Sequence, residues 1–182
     1  PNNLPQQLTS FIGREKVIAE VLEIFKQTRL LSLTGSGGAG KTRLALQVAA
    51  DLLDDYEDGV WMVELAALAD PNLVAQSIAT TIGVREEPGR PILATLTDFL
   101  KPKKVLLVLD NCEHLLDACA QFADAVLCAG EGLRLLATSR ERLGVPGELT
   151  WRVPSLSTPG MDEALLPEKL AGYEAVRLFV DQ

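Results

Sequence analysis

The stretch LLSLTGSGGAGKTRLAL, residues 30–46, limits the possible folds of this chain more than any other feature. Its dense apolar start indicates a buried strand, and glycines form the bend that follows. An Ala- and Leu-rich segment from Lys41 to about Leu53 then predicts a helix with both faces covered. A buried strand that runs directly into a covered helix is typical of parallel sheets, whose strands are joined by helical crossovers. We therefore expect a sheet with helices packed on it.

Further apolar segments predict the remaining elements. Four more strands are expected at residues 59–65, 103–111, 133–141 and 150–154. Helical spacing of apolar residues predicts helices between them, one of which starts at Asp70-Pro71 with the carboxylate as its N-cap. The buried stripe of this helix is expected to include Leu73, and a second helix, opened by Pro91, carries Phe99 among its apolar residues. Strands that alternate with helices predict an α/β fold of three layers, with a mostly parallel five-stranded sheet in the middle.

Composition narrows the classes of protein. The formal net charge of −8 argues against a domain that lies along DNA or anionic lipid, since such surfaces need clustered Lys and Arg. The longest unbroken apolar run, residues 105–109, is too short to span a membrane. Cys112, Cys119 and Cys128 have no metal-ligand spacing, and are expected as small apolar fillers of one helix predicted near residues 113–129. We expect a cytoplasmic domain that contacts neither nucleic acid nor membrane directly.

The glycine-rich bend matches the pattern G-x-x-x-x-G-K-[ST] over residues 35–42. Its glycines let backbone N–H groups turn inward around phosphate oxygens, assisted by the positive end of the following helix. Lys41 is expected to place its charge at the β- and γ-phosphates, and the Thr42 hydroxyl to bind Mg²⁺. We call residues 35–42 the phosphate loop. The residues expected to bind ATP or ADP are Gly35, Ser36, Gly37, Gly38, Ala39, Gly40, Lys41 and Thr42, with Arg43 next to them.

Acidic and amide residues follow the strand predicted at residues 103–111. Asp110 is expected to deliver the second Mg²⁺ ligand, although a carboxylate at a strand end also serves as a cap or turn former. Asn111 stands where many hydrolysing proteins with such a loop have a second acid; its amide can position water but is a poor base. Glu113 has two open interpretations, as the group that orients the attacking water or as a first-turn helix acid.

Arg140 follows the strand predicted to lie beside the phosphate loop. A guanidinium there can sense a γ-phosphate or stabilise transferred charge; the alternative is a surface arginine paired with Glu141. His114 is the only histidine, so a histidine-based metal cluster or catalytic triad is excluded. In parallel sheets, ligands bind outside the carboxyl ends of the strands. The polar residues that follow three strands are therefore expected to meet at one edge of the sheet.

The segments LTSFIGRE, LTGSGGAGKTRLAL, LLVLDNCEHLLDAC and LLATSRERLGVPGE occur in this order along the chain. Together they resemble the nucleotide-binding domain of STAND signal-transduction ATPases of the NB-ARC type, most closely that of bacterial LuxR-type and SARP-type regulators. The resemblance implies a P-loop NTPase fold. It also implies that Ile12, Gly13 and Arg14 cradle the adenine and ribose, largely through backbone contacts, and that Arg140 is the sensor arginine.

The resemblance also implies a domain organisation and a function. Residues 1–10 are expected to be a linker, residues 11–155 the nucleotide-binding domain, and residues 156–182 the start of a truncated helical subdomain, followed in the family by a winged-helix domain. We expect an ATP/ADP switch with slow Mg²⁺-dependent hydrolysis, in which ATP permits self-association of the full protein. Two alternatives remain: a scaffold that binds nucleotide without hydrolysing it, and a small-molecule kinase or fast ATPase.

Overall fold

Five parallel strands form one sheet, in the order β2–β3–β4–β1–β5. The computed structural model describes residues 1–5 and 14–154. The strands are β1 Leu30–Thr34, β2 Val60–Glu64, β3 Leu106–Asp110, β4 Arg134–Ser139 and β5 Glu148–Arg152. The predicted five-stranded sheet is confirmed, and it is parallel at every pairing among these strands.

Among the described residues, five α-helices connect and cover the strands. They are α1 Glu15–Gln27, α2 Lys41–Asp51, α3 Val74–Ile82, α4 Ile92–Leu100 and α5 Leu116–Ala129. Short 3-10 turns occupy Leu53–Asp55, Pro71–Leu73 and Cys112–His114. Within the described part of the chain, no helix combines the length and apolarity needed to cross a membrane.

Two hydrophobic cores lie on opposite faces of the sheet. Successive side chains of a strand point to opposite faces, so Leu107 and Leu109 of β3 belong to one core and Leu106 and Val108 to the other. Helices α3, α4 and α5 cover the first core, and α1 and α2 cover the second. Because both faces are covered, β3 is apolar at every position until Asp110. The expected three-layer arrangement is confirmed.

The start of α3 and the burial of two apolar residues differ from the sequence-based expectation. The Asp70 carboxylate does accept a hydrogen bond from a backbone N–H, that of Asn72 at 2.9 Å, but it caps the turn before α3 rather than the α-helix itself. This turn has a different residue spacing from α3, which leaves Leu73 46% exposed instead of buried. Phe99 is also exposed, at 41%, and the Lys103 ammonium lies 5.6 Å from its ring centre.

The first residues of the chain lie along the outer edge of β2. Val60 N–H donates to the Pro1 carbonyl at 3.0 Å, and the Asn3 amide side chain bonds to both backbone groups of Met62, at 2.7 and 2.9 Å. This part of the expected linker therefore covers an edge strand, whose unpaired N–H and C=O groups would otherwise face solvent. Residues 6–13 lie outside the described residues, as does the helical subdomain expected at 156–182.

Candidate nucleotide-binding site

The phosphate loop connects the carboxyl end of β1 to the amino end of α2. Gly40 occupies the N-cap of α2 with φ +83°, and Gly38 has φ +77°. Residues other than glycine rarely adopt this left-handed backbone conformation, which explains the glycines at both positions. A Cβ atom at Gly38 would meet no atom within 4 Å, so the loop presents open backbone at this point. Such a bend in front of a helix N-terminus suits an anion.

Lys41 folds back beneath the phosphate loop. Its ammonium donates hydrogen bonds to the carbonyls of Gly35, at 3.0 Å, and Ser36, at 2.9 Å, and the residue is only 9% exposed. These bonds hold the positive charge at the loop and against the start of α2, whose dipole is also positive there. The electrostatics of the loop therefore favour a negatively charged ligand.

Thr42, Asp110 and Thr138 meet at the carboxyl end of the sheet. Thr42 Oγ1 and Thr138 Oγ1 both donate to Asp110 Oδ1, at 2.8 Å and 2.5 Å. Thr138 Oγ1 also accepts a hydrogen bond from Asn111 N–H at 2.9 Å. Sequence reasoning missed Thr138. The signal that could have identified it is a polar residue at the end of an apolar strand, but its contact with Asp110 depends on β4 lying beside β3.

The Thr42–Asp110 pair fits a magnesium ion. A hydroxyl and a carboxylate oxygen are hard oxygen ligands, and Mg²⁺ is usually bound by one or two carboxylates together with substrate phosphates. Among the described residues, no cluster of three or more His, Cys, Asp or Glu is able to hold a metal alone. The chemistry of these two donors therefore suits an ion shared with a phosphate ligand rather than a site made wholly of protein groups.

Arg140 and Glu113 face each other beside the phosphate loop. Arg140 Nε lies 3.5 Å from Glu113 Oε1, so the arginine is paired with Glu113 and not with Glu141. A Cβ atom at Gly37 would lie 4.0 Å from Arg140 Nη2, which places the guanidinium next to the loop. The other Glu113 oxygen, Oε2, is buried without a hydrogen-bond partner in the described structure. The Glu113 carboxylate thus has one oxygen paired with Arg140 and a second that is buried and unpartnered.

Asn111 has a backbone reason for its identity. Its φ of +67° is the only positive φ at a described residue other than glycine, and Asn tolerates this conformation better than most residues. The residue starts the turn Cys112–His114, which carries Glu113 towards Arg140. The interpretation of Asn111 as a replaced base is therefore incomplete, because the turn also requires a residue that accepts a positive φ.

Arg14 is buried at the other side of the loop. Its guanidinium donates to the carbonyls of Ala39 and Pro154, each at 3.3 Å, and the residue is 3% exposed. Its side chain thus contacts the protein backbone at the loop, whereas the family resemblance implied a contribution largely through the backbone of Arg14 itself. Ile12 and Gly13, predicted with it, lie outside the described residues. Arg43 follows Thr42 on α2 and is half-buried.

The remaining candidate residues lie apart from this chemistry. His114 is exposed and bonds through Nε2 to the Leu68 carbonyl at 2.7 Å. Cys112 and Cys119 are buried as expected, but Cys128 is exposed, and Cys112 belongs to the turn before α5 rather than to the helix. The pKa of Cys112 lies well above its usual value, mainly because of a hydrogen bond with the Cys119 thiol and, to a lesser extent, because of burial. The Cys112 thiol is therefore protonated and unreactive at neutral pH.

The parallel sheet, the glycine loop and the Lys-Thr pair that opens α2 define a P-loop NTPase fold. A family model for the AAA domain matches residues 24–141, and the chain belongs to this family. The protein Rv0894 of Mycobacterium tuberculosis is 40% identical over 177 residues, which are 97% of this chain and 42% of that protein. Rv0890c of the same organism, provisionally named an HTH-type transcriptional regulator, is 43% identical over 159 residues, 87% of this chain and 16% of its own length.

Solved structures agree with the fold. A STAND protein with a tetratricopeptide-repeat sensor from Pyrococcus horikoshii superposes with a TM-score of 0.59 at 15% identity, over 93% of this chain and 26% of that one. Cdc6p of Pyrobaculum aerophilum has the same TM-score at 16% identity, over 83% of this chain and 47% of its own. The chain thus spans less than half the length of each of these relatives and structures. The comparisons therefore confirm the predicted P-loop fold and show that the chain is similar to part of a protein named as a transcriptional regulator.

Proposed function

We propose that this domain binds ATP and ADP with Mg²⁺ and acts as a nucleotide-dependent switch in a larger regulatory protein. The observation that carries the proposal is the contact of Thr42 and Thr138 with one oxygen of Asp110, next to Lys41 and the phosphate loop. Membership of the AAA domain family supports nucleotide binding, and the regulators among the relatives support a role in transcription control in the cytoplasm.

Each polar group of the site has a role in this proposal. The backbone N–H groups of the phosphate loop and the Lys41 ammonium bind the phosphates, and Thr42 and Asp110 hold the ion. Bound Mg²⁺ would neutralise phosphate charge. Thr138 keeps the Asp110 carboxylate in place through its hydrogen bond, and Arg140 is the cation placed to respond to the length of the phosphate chain.

Hydrolysis by this domain is expected to be slow. The amide of Asn111 is a poor base, and one oxygen of the Glu113 carboxylate is engaged by Arg140 instead of being free to orient a water molecule. Slow hydrolysis suits a switch, because each nucleotide state then persists long enough to be read. The switch also requires that ATP and ADP favour different states of the full protein. We place that difference in self-association of the full protein.

The first test is a count of the nucleotide that copurifies with the chain. Freshly purified protein is denatured, and the released nucleotide is identified by chromatography and counted per chain. We expect bound ADP in the native protein and none in Lys41→Ala. The matched control is Lys26→Ala, because Lys26 is an exposed lysine at the end of α1 that pairs only with Glu23 among described contacts. A nucleotide-free native protein that also fails to bind added Mg-ATP would contradict the proposal.

A non-hydrolysing scaffold is the second candidate, favoured by the engagement of Glu113 with Arg140. Turnover of radiolabelled ATP separates the two. A switch that resets by hydrolysis should lose turnover in Glu113→Gln, whereas Glu141→Gln, which changes the neighbouring acid outside the pair, should keep it. Turnover that is absent from the native chain and unaltered in Glu113→Gln, together with tight retention of ADP, would identify the scaffold.

A further inference from the structure

Arg14 connects three parts of the molecule that are far apart in the sequence. Its carbonyl accepts the first hydrogen bond of α1, from Ile18 N–H at 2.9 Å. One arm of its guanidinium bonds to Ala39 in the phosphate loop and the other to Pro154, 140 residues away. A buried guanidinium needs such acceptors, because burying an unpaired charge is costly. The two carbonyls and this cation are therefore mutually dependent.

Arg14 contacts the phosphate loop at its C-terminal end, where the loop runs into α2. Ala39 is buried and directly precedes Gly40, the N-cap of α2. A Cβ atom at Gly40 would lie 3.7 Å from Arg14 Nη1, so the guanidinium packs against the loop backbone where the helix begins. Displacement of Arg14 would release the loop at the point where its N–H groups turn towards the helix axis.

The contact with Pro154 is made where the chain leaves β5. Val153 N–H donates to the Thr34 carbonyl at 2.8 Å, and a Cβ atom at Gly35 would lie 3.3 Å from the Val153 carbonyl oxygen. The exit from β5 therefore packs on the beginning of the phosphate loop, while Arg14 holds the same exit to the end of the loop. A shift of the loop cannot leave Val153 and Pro154 in place without breaking one of these contacts.

We propose that Arg14 is a positioning residue which holds the phosphate loop in its binding shape and couples that shape to the chain beyond Pro154. The proposal rests on the nucleotide binding proposed above and names the route by which it is read. Coupling of this kind is reciprocal: a nucleotide that orders the loop also fixes the exit from β5, and whatever fixes that exit strengthens nucleotide binding.

The first measurement is the affinity of the full 182-residue chain for ADP carrying a fluorescent label. Arg14→Met should raise the Kd about tenfold or more, since the loop loses the donor at Ala39. Arg14→Lys keeps the charge but has no planar fork to hold both carbonyls, and should raise the Kd about threefold. The matched control is Arg134→Met, because Arg134 also bonds to two carbonyls, those of Phe25 and Thr28, but lies at the amino end of the strands, away from the phosphate loop.

The second measurement separates coupling from a merely structural role. The chain has two tryptophans, and Trp151 precedes Pro154 by three residues, whereas Trp61 lies on β2 at the far side of the sheet. In Trp61→Phe, Trp151 is the one tryptophan left, and its emission is followed with excitation that tyrosine does not absorb. We expect saturating ADP to change its emission, and we expect Arg14→Met in the same background to remove that change even when all sites are filled.

The outcomes of these measurements are distinct. Native protein that binds no ADP refutes the proposed function itself. Native binding that is lost in Lys41→Ala but kept unchanged in Arg14→Met and Arg14→Lys overturns the role of Arg14 alone. If saturating ADP leaves the Trp151 emission of Trp61→Phe unchanged while Arg14 is present, the proposed coupling is overturned. If Arg14→Met does not fold, Arg14→Lys decides: with folding shown by circular dichroism, native affinity and a native Trp151 response would refute the proposal.

Discussion

Basic side chains have different partners at the two ends of the sheet. At the carboxyl end, α2 and α5 begin, and a lysine, two threonines and an aspartate bond mainly to one another and to loop carbonyls. At the amino end, α1 and α5 finish, and two arginines bond to the last carbonyls of these helices. Helix N-termini offer N–H donors and positive charge, whereas C-termini offer acceptors and negative charge.

The arginines at the amino end complete the fold. Arg29 donates to the carbonyls of Leu127 and Gly130 at the end of α5, at 2.9 and 2.8 Å. Arg134 donates to the Phe25 carbonyl near the end of α1 at 2.8 Å and lies over the Phe25 ring. These cations satisfy orphan carbonyls, so their bonds contribute to stability. The comparison shows that a basic residue at a helix N-terminus and one at a helix C-terminus serve different purposes, so charge alone does not indicate function.

Lys41→Ala should give the largest effect and would test the carboxyl end directly. We expect the affinity for Mg-ADP to fall about 100-fold, because the loop loses its fixed positive charge. Stability should change less than affinity, since only two partly buried hydrogen bonds to loop carbonyls disappear. Calorimetric titration and thermal unfolding measure the two quantities. A large loss of stability with native affinity would contradict the proposed assignment of the two ends.

Asp110→Asn should separate the ion from the nucleotide. In Mg²⁺ we expect about tenfold weaker binding of ADP, while in EDTA the variant and the native chain should bind alike, because the amide keeps the shape but not the charge of the ligand. Equilibrium binding with and without Mg²⁺ gives both values. Asp124→Asn, an exposed aspartate on α5, is the control. An equal loss in EDTA would place Asp110 outside the proposed ion site.

Arg134→Met tests the amino end of the sheet, where we expect a loss of stability without a loss of affinity. Removing the guanidinium leaves the Phe25 and Thr28 carbonyls without this donor, so we expect the free energy of unfolding to fall by about 2 kcal/mol. Urea unfolding measures the loss. The affinity for ADP should remain native, and a large change in affinity would show that the two ends do not act independently.

Tyr56→Phe should give the smallest effect, a change in the free energy of unfolding that is limited to alkaline pH. Burial raises the pKa of Tyr56 to about 12, although nearby Arg134 opposes the shift. The native state therefore keeps its proton after the unfolded chain has lost it, near pH 10. The stability associated with the protonated ring is complete below pH 10 and is lost as the pH rises towards 12. Urea unfolding at pH 9 and pH 11 should show a smaller loss in Tyr56→Phe than in the native chain.

Local pattern was sufficient for most of the elements. The strand at residues 30–34, the glycine loop and the helix from Lys41 follow from neighbouring residues, and the structure confirms them. The errors occurred where spacing changed: Leu73 belongs to a 3-10 turn, and α5 begins at Leu116 rather than at Glu113. The roles of the site residues in binding and catalysis stay predictions, although the structure brings Thr42, Asp110 and Arg140 to one edge.

The sequence by itself determined which residues stand at the ends of strands, because a strand that is apolar on both faces must stop where polar residues begin. That these polar residues meet at the carboxyl ends of the strands was also predicted, but only the tertiary structure decided which side chains contact one another there. The order β2–β3–β4–β1–β5 places Asp110 beside Thr42, 68 residues away, and beside Thr138, which no local pattern assigned. It also brings Pro154 to Arg14. Such pairings depend on the packing of the whole sheet, and loop closure over these distances carries no local sequence signal.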